Sequence, residues 1–246
     1  MMTNTNNIID ILDFKKVPVR VLVIQGSPRS ERRSRTAILK EEVINGLKEM
    51  ESVEISQYSF TNKRIAPVQP GGNAEDIAKD DFQEFCDKWL EADAVIWCVP
   101  VYHMGPPSVV RAAINRLSNL VIKTEKEKQM TDPPRFNKVV GAVVQGGSRF
   151  GGQEITLMYL IQHTFQMRSI WVTADMPESY HGVAVHVTTD EALKSDQNAI
   201  NLSRELARRV VETAKFVQAG LLLSADSLPD QYYPSRKTVG AIERPV

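Results

Sequence analysis

Short stretches that are apolar throughout alternate along this chain with longer ones in which apolar residues recur every three or four positions. The first short run, Val21-Leu22-Val23-Ile24, predicts a buried strand over 19–25. Leu39, Val43, Leu47 and Met50 then fall at helical spacing, predicting a helix over 36–50, and a second strand follows at 53–60. Pro67, Pro70, Gly71 and Gly72 make 61–75 a loop. Asp80 or Asp81 opens a helix whose apolar face is Phe82, Phe85, Cys86, Trp89 and Leu90. Residues 94–99, AVIWCV, predict a strand covered on both faces. After a loop over 100–107, a helix starts near Pro107 or Ser108 and is expected to end at Leu117. Residues 121–137, charged and closing on Asp132-Pro133-Pro134, read as a surface excursion. A fourth strand at 139–145, a loop over 146–152, a helix over 153–166 and a fifth strand at 169–174 follow. A loop through Tyr180, His181 and Gly182 leads to a long helix over 196–223.

Five strands alternating with five helices predict an α/β fold, a doubly wound, five-stranded parallel sheet with helices on both faces. Loops rich in glycine or proline follow strands one, three and four. In the strand order 2-1-3-4-5 they converge at the carboxyl edge of the sheet, where such folds bind ligands. No repeat or linker interrupts 19–223, which reads as one domain. An extension over 1–18 precedes it, where Ile8, Ile9, Ile11, Leu12 and Phe14 form a stripe expected to pack on the body or on a neighbour. A tail over 224–246 follows, broken by Pro229, Pro234 and Pro245.

Composition narrows the function classes. Lys plus Arg and Asp plus Glu are 30 each, so nothing points to nucleic acid or an anionic membrane as partner. No apolar run is long enough to span a bilayer, and Asp10 and Asp13 interrupt what would otherwise look like a leader. Cys86 and Cys98 form no C-x-x-C pair and are expected to be packed thiols in a reducing, cytoplasmic compartment. His163, His181 and His186 are isolated and suggest no metal site.

The candidate chemistry begins at Gly26-Ser27-Pro28-Arg29-Ser30-Glu31-Arg32-Arg33-Ser34-Arg35-Thr36, where a strand ends and a helix begins. The first N–H groups of a helix have no intrahelical partners and its dipole favours an anion. Hydroxyls and guanidinium groups complete a donor set suited to a phosphate. There is no G-x-x-x-x-G-K-[ST] and no G-x-G-x-x-G after the first strand, so neither common nucleotide loop is present. The alternative is an ordinary strand–helix loop with a solvated basic patch.

Gly26-Ser27-Pro28-Arg29 with Ser34 and Thr36 resembles the phosphate loop of the flavodoxin-like, NAD(P)H-dependent FMN reductases. Ala92-Asp93-Ala94 leading into Pro100-Val101-Tyr102 and Gly105 resembles their second flavin loop. Gly146-Gly147-Ser148-Arg149 with Gly151-Gly152-Gln153-Glu154 resembles the iron–sulfur flavoprotein branch. The resemblance implies FMN at the sheet edge, NAD(P)H as electron donor, a small-molecule acceptor, and assembly as a homodimer or homotetramer. On it, Ser27, Arg29, Ser34 and Thr36 would hold the phosphate, with Arg35 or Arg33 neutralising it at longer range; Arg32 and Arg33 are read as a solvated face. Pro100, Val101, Tyr102, His103, Met104 and Gly105 would border the ring, with Tyr102 or His103 stacking on it or facing the nicotinamide. Gly146, Gly147, Ser148, Arg149, Gly151 and Gly152 would lie on its other edge. No residue is assigned as catalytic, because the flavin carries the hydride.

One departure matters. The iron–sulfur branch carries clustered cysteines after strand two, where this chain reads Lys63-Arg64-Ile65-Ala66-Pro67-Val68-Gln69-Pro70. Thiolate-bound clusters need cysteine ligands, so a cluster-less relative is expected. The competing functions are a flavodoxin-like electron carrier reduced by a protein partner and a module that has lost its flavin. The adjacent Tyr232 and Tyr233 suit an interface, so the tail is expected to cross a partner subunit near that subunit's flavin edge; the alternative is that it hangs free.

Overall fold

A parallel strand buries every residue only in the middle of a sheet, and two strands here do so: β3 (Ala94–Pro100) and β4 (Val139–Gly146) are buried at every position, Gln145 of β4 included. β1 (Val19–Gln25) is buried everywhere except Arg20, whereas β2 (Val53–Ser59) is only partly covered and forms one edge. The computed structural model describes residues 13–68, 80–127, 129, 130, 135–175, 177, 179–224, 227–229 and 232. All strands are parallel, in the order β2-β1-β3-β4-β5 with β6 also pairing β4. The expected doubly wound sheet and its strand order are therefore present.

The helices divide between the faces. α1 (Arg35–Lys48), α5 (Asp190–Ser195) and α6 (Gln197–Leu223) cover one side, burying Leu39, Val43, Leu193, Leu206 and Val210 against Val21, Ile96 and Val143. α2 (Phe82–Glu91), α3 (Ser108–Glu127) and α4 (Gln153–Gln166) cover the other, where Phe85, Trp89, Leu117 and Leu157 meet Leu22, Trp97 and Val144. Among the described residues, no helix is long and apolar enough to cross a membrane.

Three elements differ from expectation. α3 runs to Glu127 and not to Leu117. The periodic face simply continues through Val121 and Thr124, while the charges that suggested an excursion sit outside, and Glu125 takes both terminal nitrogens of Arg168 at 2.7 and 3.1 Å. The fifth strand is shared by two pieces, β5 (Ile170–Trp171) beside Val139 and Val140, and β6 (Val183–His186) beside 143–146. The chain leaves the sheet between them and returns with Val183, Val185 and Val187 facing the core. α5 is an extra helix, opened by the Thr189 hydroxyl accepting from the Ala192 N–H at 3.1 Å.

Phe14, in a 3₁₀ turn over Phe14–Lys16, packs on Phe216 with ring centroids 4.6 Å apart, so this part of the extension docks on the body. The stripe at Ile8–Leu12 lies outside the described residues. At Tyr232 the tail meets its own chain: its carbonyl accepts from Asn137 at 3.2 Å and its ring lies 4.9 Å from the Arg135 guanidinium. Tyr233 and the rest of the tail lie outside the described residues.

Candidate functional site

Parallel register brings the ends of β1, β3 and β4 side by side, with Gln25 opposite Cys98 and Pro100 opposite Gln145. The loops leaving them share a cleft of about 410 Å³, within the usual range for a small-molecule site. The first loop needs Gly26. Its N–H donates to the Cys98 carbonyl at 2.7 Å, and a Cβ there would stand 2.9 Å from Val99 Cγ2. The Arg29 N–H donates to Ser27 Oγ at 3.2 Å, folding the loop over, and Thr61 Oγ1 donates to the Arg29 carbonyl at 2.8 Å from the far side. Ser34 stands at the N-cap of α1 with an extended backbone, yet its hydroxyl makes no cap bond. That hydroxyl is buried, lines the cleft and has no partner among the described residues. Immediately before the loop, the fully buried Gln25 carboxamide is likewise unpaired.

The second loop turns tightly. Tyr102 and Gly105 exchange both backbone hydrogen bonds, at 2.8 and 3.3 Å, and the two residues between them, His103 and Met104, have φ of 48° and 66°. The turn holds Tyr102 with its ring 5.7 Å from the Arg29 guanidinium. The third loop is pinned by Gln153, whose amide donates to the Ser148 carbonyl at 2.7 Å and accepts from the Gly151 N–H at 3.1 Å. Gly152 has φ of 99°, and a Cβ on it would lie 2.6 Å from Met104 Cα, so the second and third loops close on each other at that point.

Of the residues expected from sequence, Ser27, Arg29, Ser34, Arg35, Thr36, Pro100, Val101, Tyr102, His103 and Gly147 line the cleft. Met104, Gly105, Gly146, Ser148, Arg149, Gly151 and Gly152 do not. Gly105 lies under Arg111, Gly146 under Gln153, and Ser148 and Arg149 are exposed. Arg33, read as a solvated residue, lines the cleft, because the 3₁₀ turn Glu31–Arg33 swings it back towards α1; Arg32 does not line it. Arg35 is held by an ion pair, its Nε 2.9 Å from Asp190 Oδ1. Gln145 and Asp190 line the cleft and were not anticipated, nor was the support from Thr61. A signal for Gln145 existed: a lone amide ending an otherwise apolar strand faces whatever the strand end binds. Asp190 is separated from the loop by 155 residues and carries no such mark.

The arrangement fits a flavin phosphate. It combines an uncapped helix N-terminus, an orphaned buried hydroxyl and three guanidinium groups in one cleft. It does not fit a thiolate-bound cluster. The chain's two cysteines lie on opposite faces of the sheet, Cys86 against Trp89 and Cys98 against α1, and burial pushes both thiols up to about 12.

The family described as NADPH-dependent FMN reductase matches residues 19–179. An iron–sulfur flavoprotein of Methanocaldococcus jannaschii is 30% identical over 206 residues, covering 81% of this chain and all of its own length. Among solved structures, a flavone reductase superposes with a TM-score of 0.59 at 20% identity, over 81% of this chain and 64% of its own. A flavodoxin, WrbA-like protein from Agrobacterium tumefaciens superposes with a TM-score of 0.53 at 18% identity, over 80% of this chain and 98% of its own. At these identities the solved structures speak for the flavodoxin-like fold.

Proposed function

Since the chain belongs to the NADPH-dependent FMN reductase family, we propose that it is an FMN-dependent NAD(P)H oxidoreductase with a quinone, free flavin, nitro or azo compound as acceptor. The observation that carries the reading is the unpartnered, buried Ser34 hydroxyl at the uncapped start of α1, inside a cleft lined by arginines. Ser27, Ser34, Thr36 and the first N–H groups of α1 would hold the phosphate of FMN, with Arg29 and Arg33 supplying charge. Pro100, Val101, Tyr102 and His103 would border the ring system, and the Gln145 amide, whose Nε2 donates to the Val187 carbonyl at 3.2 Å, would offer its oxygen. When bound, FMN supplies a ring that accepts a hydride from one partner and delivers electrons to the next. The protein's part is to fix that ring, leave room for each partner in turn and shield the exchange from water. The exposed Phe150, Ile155 and Met158, on the third loop and α4, support assembly as a homodimer or homotetramer.

The test is an anaerobic titration of the purified, flavin-loaded protein with NADPH and with NADH. At least one nucleotide should bleach the flavin absorbance, a quinone should restore it, and turnover should show ping-pong kinetics. A flavin left oxidised by both nucleotides, yet reduced by a protein donor, replaces this reading with an electron carrier.

A further inference from the structure

A carboxylate is an unexpected lining for a phosphate cleft, since it repels the ligand the arginines attract. Asp190 lines this one, as the first residue of α5. Its place is fixed by the sheet. The Val187 N–H donates to the Gly146 carbonyl at 3.1 Å, Gln145 donates to the Val187 carbonyl at 3.2 Å, and Thr189 caps the helix that Asp190 begins. From there Asp190 Oδ1 accepts from Arg35 Nε at 2.9 Å. Arg35 is the first residue of α1, and its side chain is about one-third exposed. Without a partner, a long side chain at that position would spread over many solvent rotamers.

A guanidinium carries five N–H donors in a rigid fork. A bond to Nε alone occupies one and leaves the four on Nη1 and Nη2, held in a plane, for other acceptors. The pair is therefore a way to hold a guanidinium still without using up the end that grips a phosphate. With Arg29 and Arg33 also in the cleft, the single carboxylate leaves the site positive, as a phosphomonoester of about −1.5 to −2 at neutral pH requires.

We infer that Asp190 is a positioning residue that pre-orders Arg35 to bind the ligand's phosphate, and so contributes to the preference for FMN over riboflavin. This rests on the proposed FMN site. The test is fluorescence titration of the full chain, freed of flavin, with FMN and with riboflavin, which lacks the phosphate. Asp190→Ala should weaken FMN by about tenfold and leave riboflavin within about twofold of the unaltered protein. Asp190→Asn keeps a carbonyl that accepts from Arg35 Nε, so it should hold FMN within about threefold of the unaltered protein. In an Arg35→Ala background, Asp190→Ala should have no further effect on FMN. An Ala variant that binds FMN normally, or loses FMN and riboflavin in equal proportion, overturns the inference. An Asn variant as weak as the Ala variant assigns the effect to the carboxylate's charge and also overturns it. If the unaltered protein binds riboflavin as tightly as FMN, the phosphate site itself falls and the inference with it.

Discussion

His103 and Met104 both sit in the left-handed region, which a residue with a Cβ enters only at a cost on the order of 1 kcal/mol or more. Histidine is among the residues that tolerate this conformation, but Met104 is not glycine, asparagine, aspartate or histidine, so the cost falls mainly on it. The turn survives because Tyr102 and Gly105 bond each other twice and Gly152 packs on Met104. The surrounding contacts hold this turn at the cleft rim and leave His103 lining the cleft. The first loop makes the plainer prediction. Arg29 is exposed and reaches the cleft, while Ser27 is buried and shapes the turn beneath it. Replacing both with alanine should weaken FMN binding by roughly ten- to a hundred-fold, since a charge-assisted hydrogen bond contributes about 1.5–3 kcal/mol. Calorimetry giving an unchanged affinity would remove this loop from the site. Most donors on the first loop were legible because they are contiguous in sequence; Arg33 was not, because the sense in which a 3₁₀ turn points a side chain is not written in residue type.

At the scale of elements, the contact of α3 with α4 contains a buried histidine. His163 is 5% exposed; its Nδ1 lies 3.4 Å from Ser118 Oγ, its ring 6.5 Å from that of Trp89, and its Nε2 has no partner among the described residues. Burial disfavours the imidazolium and lowers the pKa to about 4. The unfolded chain takes up this proton as pH falls through its ordinary value of 6.5, while the folded protein does not until about 4. In that window the unfolded state binds more protons, so stability is full above 6.5 and is lost as pH falls towards 4. By pH 5 the loss from this one group should be on the order of 2 kcal/mol. Urea unfolding at pH 7 and pH 5 should show it, and His163→Gln should flatten it; a variant with the same loss would place the sensitivity elsewhere. Helix α4 was read correctly from 153 to 166, and α3 was cut short only because its outer face became charged while Val121 and Thr124 kept the inner period. The alternating Val183, Val185 and Val187 carry the strand period of β6, but the sequence reading passes over them as part of the loop before the long helix. Its sharing of the fifth position with β5 was not readable, because register along β4 is decided by which side chains the helices cover.

Over the whole molecule, the sheet separates the only two sulfur atoms that could serve as thiolates. The relatives include an iron–sulfur flavoprotein, so iron content is a direct check. Protein purified without oxygen should carry flavin but neither stoichiometric iron nor acid-labile sulfide; finding both would mean that cysteines of more than one chain combine around a cluster. Sequence alone determined the class of fold, the order of strands and the edge at which three loops meet. These follow from local periodicity and from the rule that parallel strands joined by helices place their carboxyl ends together. It also marked one of those loops as a candidate anion site, because a helix start and its hydroxyls and arginines are neighbours along the chain. Only the tertiary structure decided that Thr61 braces Arg29, that Gln145 looks into the cleft and that Asp190 restrains Arg35. Those pairings join residues far apart in sequence, and a hydrogen bond depends on where atoms come to rest, which the closed sheet fixes and no local pattern encodes.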